Sequence, residues 1–145
     1  MTYTIHTAAN TDYPEITEVW EASVRATHHF LSEHHIQFYK TRIPNDYLPA
    51  LNAFCIKTDE SKIAGFIGLS DDKIEMLFVD PEFFGCGIGK ALTSFAIHEK
   101  GIQKVDVNEQ NPLAVRFYTG LGFKQTGRSE IDGEGNAFPI LHLEL

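Results

Sequence analysis

The chain has 145 residues, 43% hydrophobic and 22% charged. That is enough for one ordinary core over residues 1–145 and excludes the composition of a disordered chain. A formal net charge of −8 disfavours nucleic acid as a partner and favours cations, while two cysteines, Cys55 and Cys86, are too few for a disulfide framework. The opening residues lack a basic start, and no apolar stretch reaches bilayer length, so the sequence reads as a cytoplasmic protein without a membrane segment.

In chain order, residues 3–7 alternate and predict a strand. Asp12-Tyr13-Pro14-Glu15 reads as a helix start, with an acid at the cap, an early proline and a glutamate three residues on. Ile16, Val19, Trp20, Ser23, Val24 and Thr27 follow at helical spacing and predict a helix ending near Phe30-Leu31. A second amphipathic piece covers residues 36–43 and closes before Pro44. Residues 53–58, 63–69 and 74–79 then form a meander of strands, stopped by Asp80-Pro81. Ile88, Leu92, Phe95 and Ala96 mark a helix ending at Gly101, and residues 102–107 a strand. Asn111-Pro112 opens another helix, with Gly122 suited to follow its end. Strands over 123–131 and 138–143 flank the loop 132–136. The order β-α-α-β-β-β-α-β-α-β-β is that of a mixed α/β layered domain.

The strongest chemical signal is Phe84-Gly85-Cys86-Gly87-Ile88-Gly89-Lys90 between a strand and a helix. Glycines on alternate positions permit a tight turn, and amides opening a helix gather positive potential at one spot, a cradle for a pyrophosphate. A Walker loop would need glycine where Phe84 stands and Ser or Thr at Ala91; a dinucleotide fingerprint would need glycine or alanine at Lys90. Both templates fail.

The turn resembles the acetyl-CoA pyrophosphate loop of the GCN5-related N-acetyltransferases, preceded as in that family by a strand ending Phe78-Val79-Asp80-Pro81. Downstream, residues 107–118 with the closing Gly120-Leu121-Gly122-Phe123 resemble the family's strand-asparagine-helix-tyrosine segment, and residues 23–31 its bacterial YjaB-like group. The resemblance implies a central, mostly antiparallel sheet flanked by helices. It also implies acetyl-CoA as cosubstrate without a metal, and a primary amine of a small molecule or peptide as acceptor in a direct ternary complex. A longer acyl group, or a CoA-binding sensor without catalysis, stays open beside it, as do monomer and homodimer.

Carried onto this chain, the resemblance assigns CoA binding to Leu77, Phe78, Val79, Phe84, Gly85, Cys86, Gly87, Ile88, Gly89, Lys90, Asn111 and Phe117. The amide of Leu77 or Phe78 would stabilise the developing oxyanion, and such donors are worth roughly 3–4 kcal/mol. Tyr118 would protonate the departing thiolate, and Glu75, which interrupts an apolar strand, would serve as base, directly or through water. Trp20, Thr27 and His28 would line the acceptor pocket, with His28 an alternative base. One position departs from the family: Phe84 stands where Arg or Gln is usual, which keeps the amide and loses the polar side chain. His28-His29 and His34-His35 lack zinc-type spacing.

Overall fold

The computed structural model describes residues 3–145. The chain begins with β1 (Ile5–Thr7), a 3-10 turn (Asn10–Asp12) and α1 (Tyr13–Thr27). Asp12 does not cap α1 as its position suggests. Its carboxylate turns back to accept the Ala9 N–H at 2.9 Å and pairs with Lys57 at 3.2 Å, because the 3-10 turn runs straight into the helix. Glu15 likewise leaves its own helix and accepts the Ile63 N–H at 2.7 Å, which ties α1 to the sheet.

Helix α1 stops at Thr27, earlier than the spacing predicted. His28 takes φ −104°, ψ 66° and donates its N–H to the Val24 carbonyl at 2.7 Å. A turn then leads to α2 (Glu33–Arg42), capped by the Ser32 hydroxyl on the His35 N–H at 3.2 Å. Pro44 does not end the helical run. The chain widens into a π-helical turn (Ile43–Tyr47), then a short α3 (Leu48–Ala50).

The meander is β2 (Asn52–Lys57), β3 (Ile63–Leu69) and β4 (Lys73–Val79), followed by a 3-10 turn (Pro81–Phe83) and α4 (Ile88–Lys100). Then come β5 (Lys104–Asn108), α5 (Pro112–Gly120), β6 (Lys124–Ser129) and β7 (Ile140–Glu144). The seven strands form one sheet in the order β1-β2-β3-β4-β5-β7-β6. Every neighbouring pair is antiparallel except β4–β5.

Each sheet face buries its own core. On one face Ile67, Ile74, Leu92, Val105 and Phe123 pack with α4 and α5. On the other, Phe66, Cys55 and Ile63 pack with Ile16, Trp20 and Val24 of α1 and with Ile43 and Leu48. Gly65 lets α4 approach: a Cβ there would sit 2.7 Å from Ile88 Cγ2 and 3.1 Å from the Phe78 carbonyl. The first turn of α4 is thereby pinned beside the end of β4.

Candidate active site

The parallel pairing of β4 with β5 covers only Lys73↔Lys104 and Ile74↔Val105. Beyond those rungs the two strands diverge and leave a wedge. Just past the end of β4, Asp80 donates its N–H to the Ala64 carbonyl of β3 at 2.9 Å, and within β4 Phe78 and Met76 lie opposite Phe66 and Gly68. By the alternation of antiparallel ladders these residues spend their N–H groups on β3, so the N–H groups of Leu77 and Val79 face the wedge. Of the two residues considered as carbonyl donors, Leu77 is therefore the one whose amide is free.

At the end of β4 the glycine-rich turn builds an anion cradle. Phe84 and Cys86 do not offer their amides to it. Both N–H groups turn inward to the Pro81 and Phe83 carbonyls at 3.2 Å, spent on closing the 3-10 turn. Among the described residues, Gly85, Gly87, Ile88, Gly89 and Lys90 donate their N–H groups to no protein acceptor. The last three belong to the first turn of α4, which by geometry has no intrahelical carbonyl to meet. Gly85 and Gly87 hold φ at 79° and 82°, and a Cβ on either would meet nothing within 4 Å. The space in front of these amides is open, and a row of free N–H groups at a helix start is suited to an anion.

This cradle opens on a cavity of about 680 Å³, lined also by Leu77, Val79, Lys90, Asn111, Phe117 and Tyr118. Cys86 does not line it. Tyr118 is 5% exposed and packs edge-on between Phe117 and Phe123, with centroids 5.1 and 5.6 Å away. Among the described residues its hydroxyl has no hydrogen-bond partner, and Tyr118 lines the cavity. Burial raises its pKa well above the ordinary tyrosine value, so the phenol holds its proton at neutral pH.

A second cavity, of about 610 Å³, lies on the α1–α2 side. Its walls include Trp20, Phe30, Tyr39, Tyr47, Phe78 and Phe138, and the carboxylates of Asp46, Glu75, Asp132 and Glu134 reach it. The 132–136 loop is strapped over this cavity. Tyr39 donates its hydroxyl to Asp132, Asn136 donates its amide to the Tyr39 oxygen at 2.8 Å, and Tyr47 donates to Glu134 Oε1 at 2.6 Å. Sequence reasoning missed these four wall and strap residues, Tyr39, Tyr47, Asp132 and Glu134. No local pattern marks them, because the partners lie more than eighty residues apart.

The two cavities share His28, Glu75, Met76, Phe78, Asn108 and Ile140. Glu75 is exposed, and its Oε1 accepts the Ser70 hydroxyl at 3.1 Å. Of the three residues expected at the acceptor pocket, Trp20 lines the second cavity, Thr27 the first and His28 both. The Thr27 hydroxyl donates to the Ser23 carbonyl at 2.8 Å, so the contact with His28 Nδ1 at 2.7 Å runs from the imidazole N–H. His28 Nε2 then faces the Asn111 amide at 3.5 Å, and Asn111 Oδ1 caps α5 on the Ala114 N–H at 3.3 Å. Burial pushes the His28 pKa down to about 4, which keeps this wall uncharged. Among the described residues no group of three or more His, Cys, Asp or Glu side chains could hold a metal ion, and no helix is long and apolar enough to cross a membrane.

A sheet that splits between β4 and β5, with an amide cradle where β4 meets α4, is the architecture of an acetyl-CoA-dependent N-acetyltransferase. The sequence agrees: the Acetyltransferase (GNAT) domain matches residues 18–142, and the chain belongs to this family. It is 36% identical to the peptidyl-lysine N-acetyltransferase YjaB of Escherichia coli, across 99% of this chain and 97% of that protein. Identity to the YjaB of Salmonella typhimurium is 39%, across 89% and 88%. The solution structure of apo-form YjaB from Escherichia coli superposes with a TM-score of 0.89 at 35% identity, covering 99% and 97% of the two chains. The PaiA N-acetyltransferase of Thermoplasma acidophilum, solved with coenzyme A, shares the fold at a TM-score of 0.73 and 23% identity, covering 100% of each chain.

Proposed function

We propose that this enzyme acetylates the side-chain amine of a peptide lysine by direct transfer, with both substrates bound at once. The observation that carries the reading is the meeting of two cavities at the β4–β5 wedge, one backed by free amides and the other walled by aromatic rings and carboxylates. Four methylenes of a lysine stem suit the aromatic walls, and the carboxylates attract its ammonium. That the similar YjaB proteins are peptidyl-lysine N-acetyltransferases supports the same acceptor.

Acetyl-CoA supplies an acyl group on a thiolate leaving group. The amides of Gly85, Gly87, Ile88, Gly89 and Lys90 would hold its diphosphate, and Asn111 and Phe117 would flank the arm leading to the wedge. The Leu77 N–H is aimed where a carbonyl oxygen gains charge. Glu75 Oε2 takes the ammonium proton, directly or through water, which frees the amine lone pair. As the C–N bond forms and the C–S bond breaks, the Tyr118 hydroxyl gives its proton to the leaving sulfur, and the proton that the new amide nitrogen sheds restores the phenol. Two free cysteines, Cys55 and Cys86, suit a reducing cytoplasm.

The test is to incubate the enzyme and acetyl-CoA separately with lysine-containing peptides, polyamines, aminoglycosides and free amino acids. Thiol release is followed, and products are mapped by mass spectrometry. Acetylation on the lysine side chain at the highest kcat/KM supports the reading; turnover confined to the small amines overturns the peptide acceptor and leaves the family assignment intact.

A further inference from the structure

Adjacent phenylalanines at the start of the cradle behave differently. Phe83 is half-buried against the α4-side core with Lys62 over its ring, 5.6 Å from the centroid. Phe84 is 46% exposed and packs against neither core cluster. Its backbone N–H is already spent on Pro81, so the ring is what this residue has left to offer a ligand. The same cavity is lined by Leu113, 63% exposed, just inside the start of α5. Exposed large apolar side chains are ordinary one by one, but two that line the same cavity offer apolar surface that a ligand can cover.

What covers them follows from what lies between. The free amides hold the anionic centre of the ligand, and the wedge takes one arm inward past Tyr118. The other end of the same molecule must leave the cradle toward solvent, and Phe84 and Leu113 are the exposed large apolar side chains that line this cavity. In CoA that end is a purine nucleotide, and a purine stacks on an aromatic ring. We propose that Phe84 and Leu113 form the adenine seat of this enzyme, with the Phe84 ring as stacking platform, in place of the polar side chain usual at that position. The inference rests on CoA binding at the cradle.

The test is calorimetric binding of three ligands: CoA, adenosine bisphosphate carrying the nucleotide end alone, and phosphopantetheine carrying the other arm alone. Phe84→Ala should weaken CoA and the nucleotide by about tenfold, the loss of one base–aromatic stack, and leave phosphopantetheine within about twofold. Phe84→Trp should restore affinity, and its new fluorescence should be quenched by the nucleotide and not by phosphopantetheine. Leu113→Ala should give a smaller loss with the same ligand selectivity. Equal weakening of all three ligands in Phe84→Ala, or of none, overturns the adenine seat while CoA binding stands. Failure of the wild-type enzyme to bind CoA at all would overturn both.

Discussion

The two halves of the site are made of different material. In the proposed function the cofactor half is built from main-chain nitrogens within one turn, Gly85 to Lys90, and depends on backbone conformation. The acceptor half, in the same proposal, is built from side chains of α1, α2, the π-turn, β4 and the 132–136 loop, brought together by tertiary packing. A cradle of amides tolerates changes of side chain but not of φ. An acceptor wall tolerates backbone drift less than it reveals side-chain chemistry, so substrate choice can change there without touching CoA.

The sharpest separation of chemistry from binding comes from Tyr118→Phe. This variant should lower kcat by about two to four orders of magnitude, the usual worth of a positioned acid, with the Kd for CoA unchanged. Normal turnover would remove Tyr118 from the mechanism.

Next in size, Gly87→Val forces a β-branched residue to φ 82° and fills the open space before the cradle. CoA affinity measured by calorimetry should fall about a hundredfold, roughly 2.7 kcal/mol. Cys86→Ser, whose amide is already spent on Phe83, should leave affinity within about twofold. If the two variants behaved alike, the backbone would not be what binds.

His28 tests the wall between the halves through pH. Its pKa lies near 6.5 unfolded and about 4 folded, because burial disfavours the charged ring. Between those values the unfolded chain takes a proton that the folded one refuses. Stability complete above pH 6.5 should therefore decline as pH falls toward 4, by up to about 3 kcal/mol. Denaturant titrations of His28→Gln should lose that slope. The ion pairs that depress Glu21 and Glu33 below the ordinary 4.5 act in a lower window and should persist in the variant.

The smallest effect belongs to the strap. Tyr47→Phe removes one hydrogen bond to Glu134 and should raise KM for the acceptor severalfold, with kcat and CoA affinity unchanged, consistent with about 1 kcal/mol for one exposed charge-assisted bond. An altered CoA affinity would show that the halves are coupled after all.

Local signals carried much of the molecule. Alternation and helical periodicity located every strand and the long helices, since one buried face imposes its period on the sequence. Three local readings gave way to longer-range partners. Asp12 turned to Ala9 and Lys57, Glu15 to Ile63, and Pro44 entered a π-turn in place of closing a helix. The glycine pattern announced a cradle, but which amides face it was settled by the 3-10 turn that consumes those of Phe84 and Cys86.

By itself the sequence determined the β-α order, the cradle between β4 and α4, and the residue types able to move a proton, because each depends on neighbours a few positions away. Only the tertiary structure decided that β4 and β5 part after two rungs, that Leu77 rather than Phe78 offers its N–H, and that Tyr39 and Tyr47 hold the 132–136 loop over the acceptor cavity. Those features are relations between segments distant along the chain, and no local pattern of residues encodes the direction in which a distant strand leaves its neighbour.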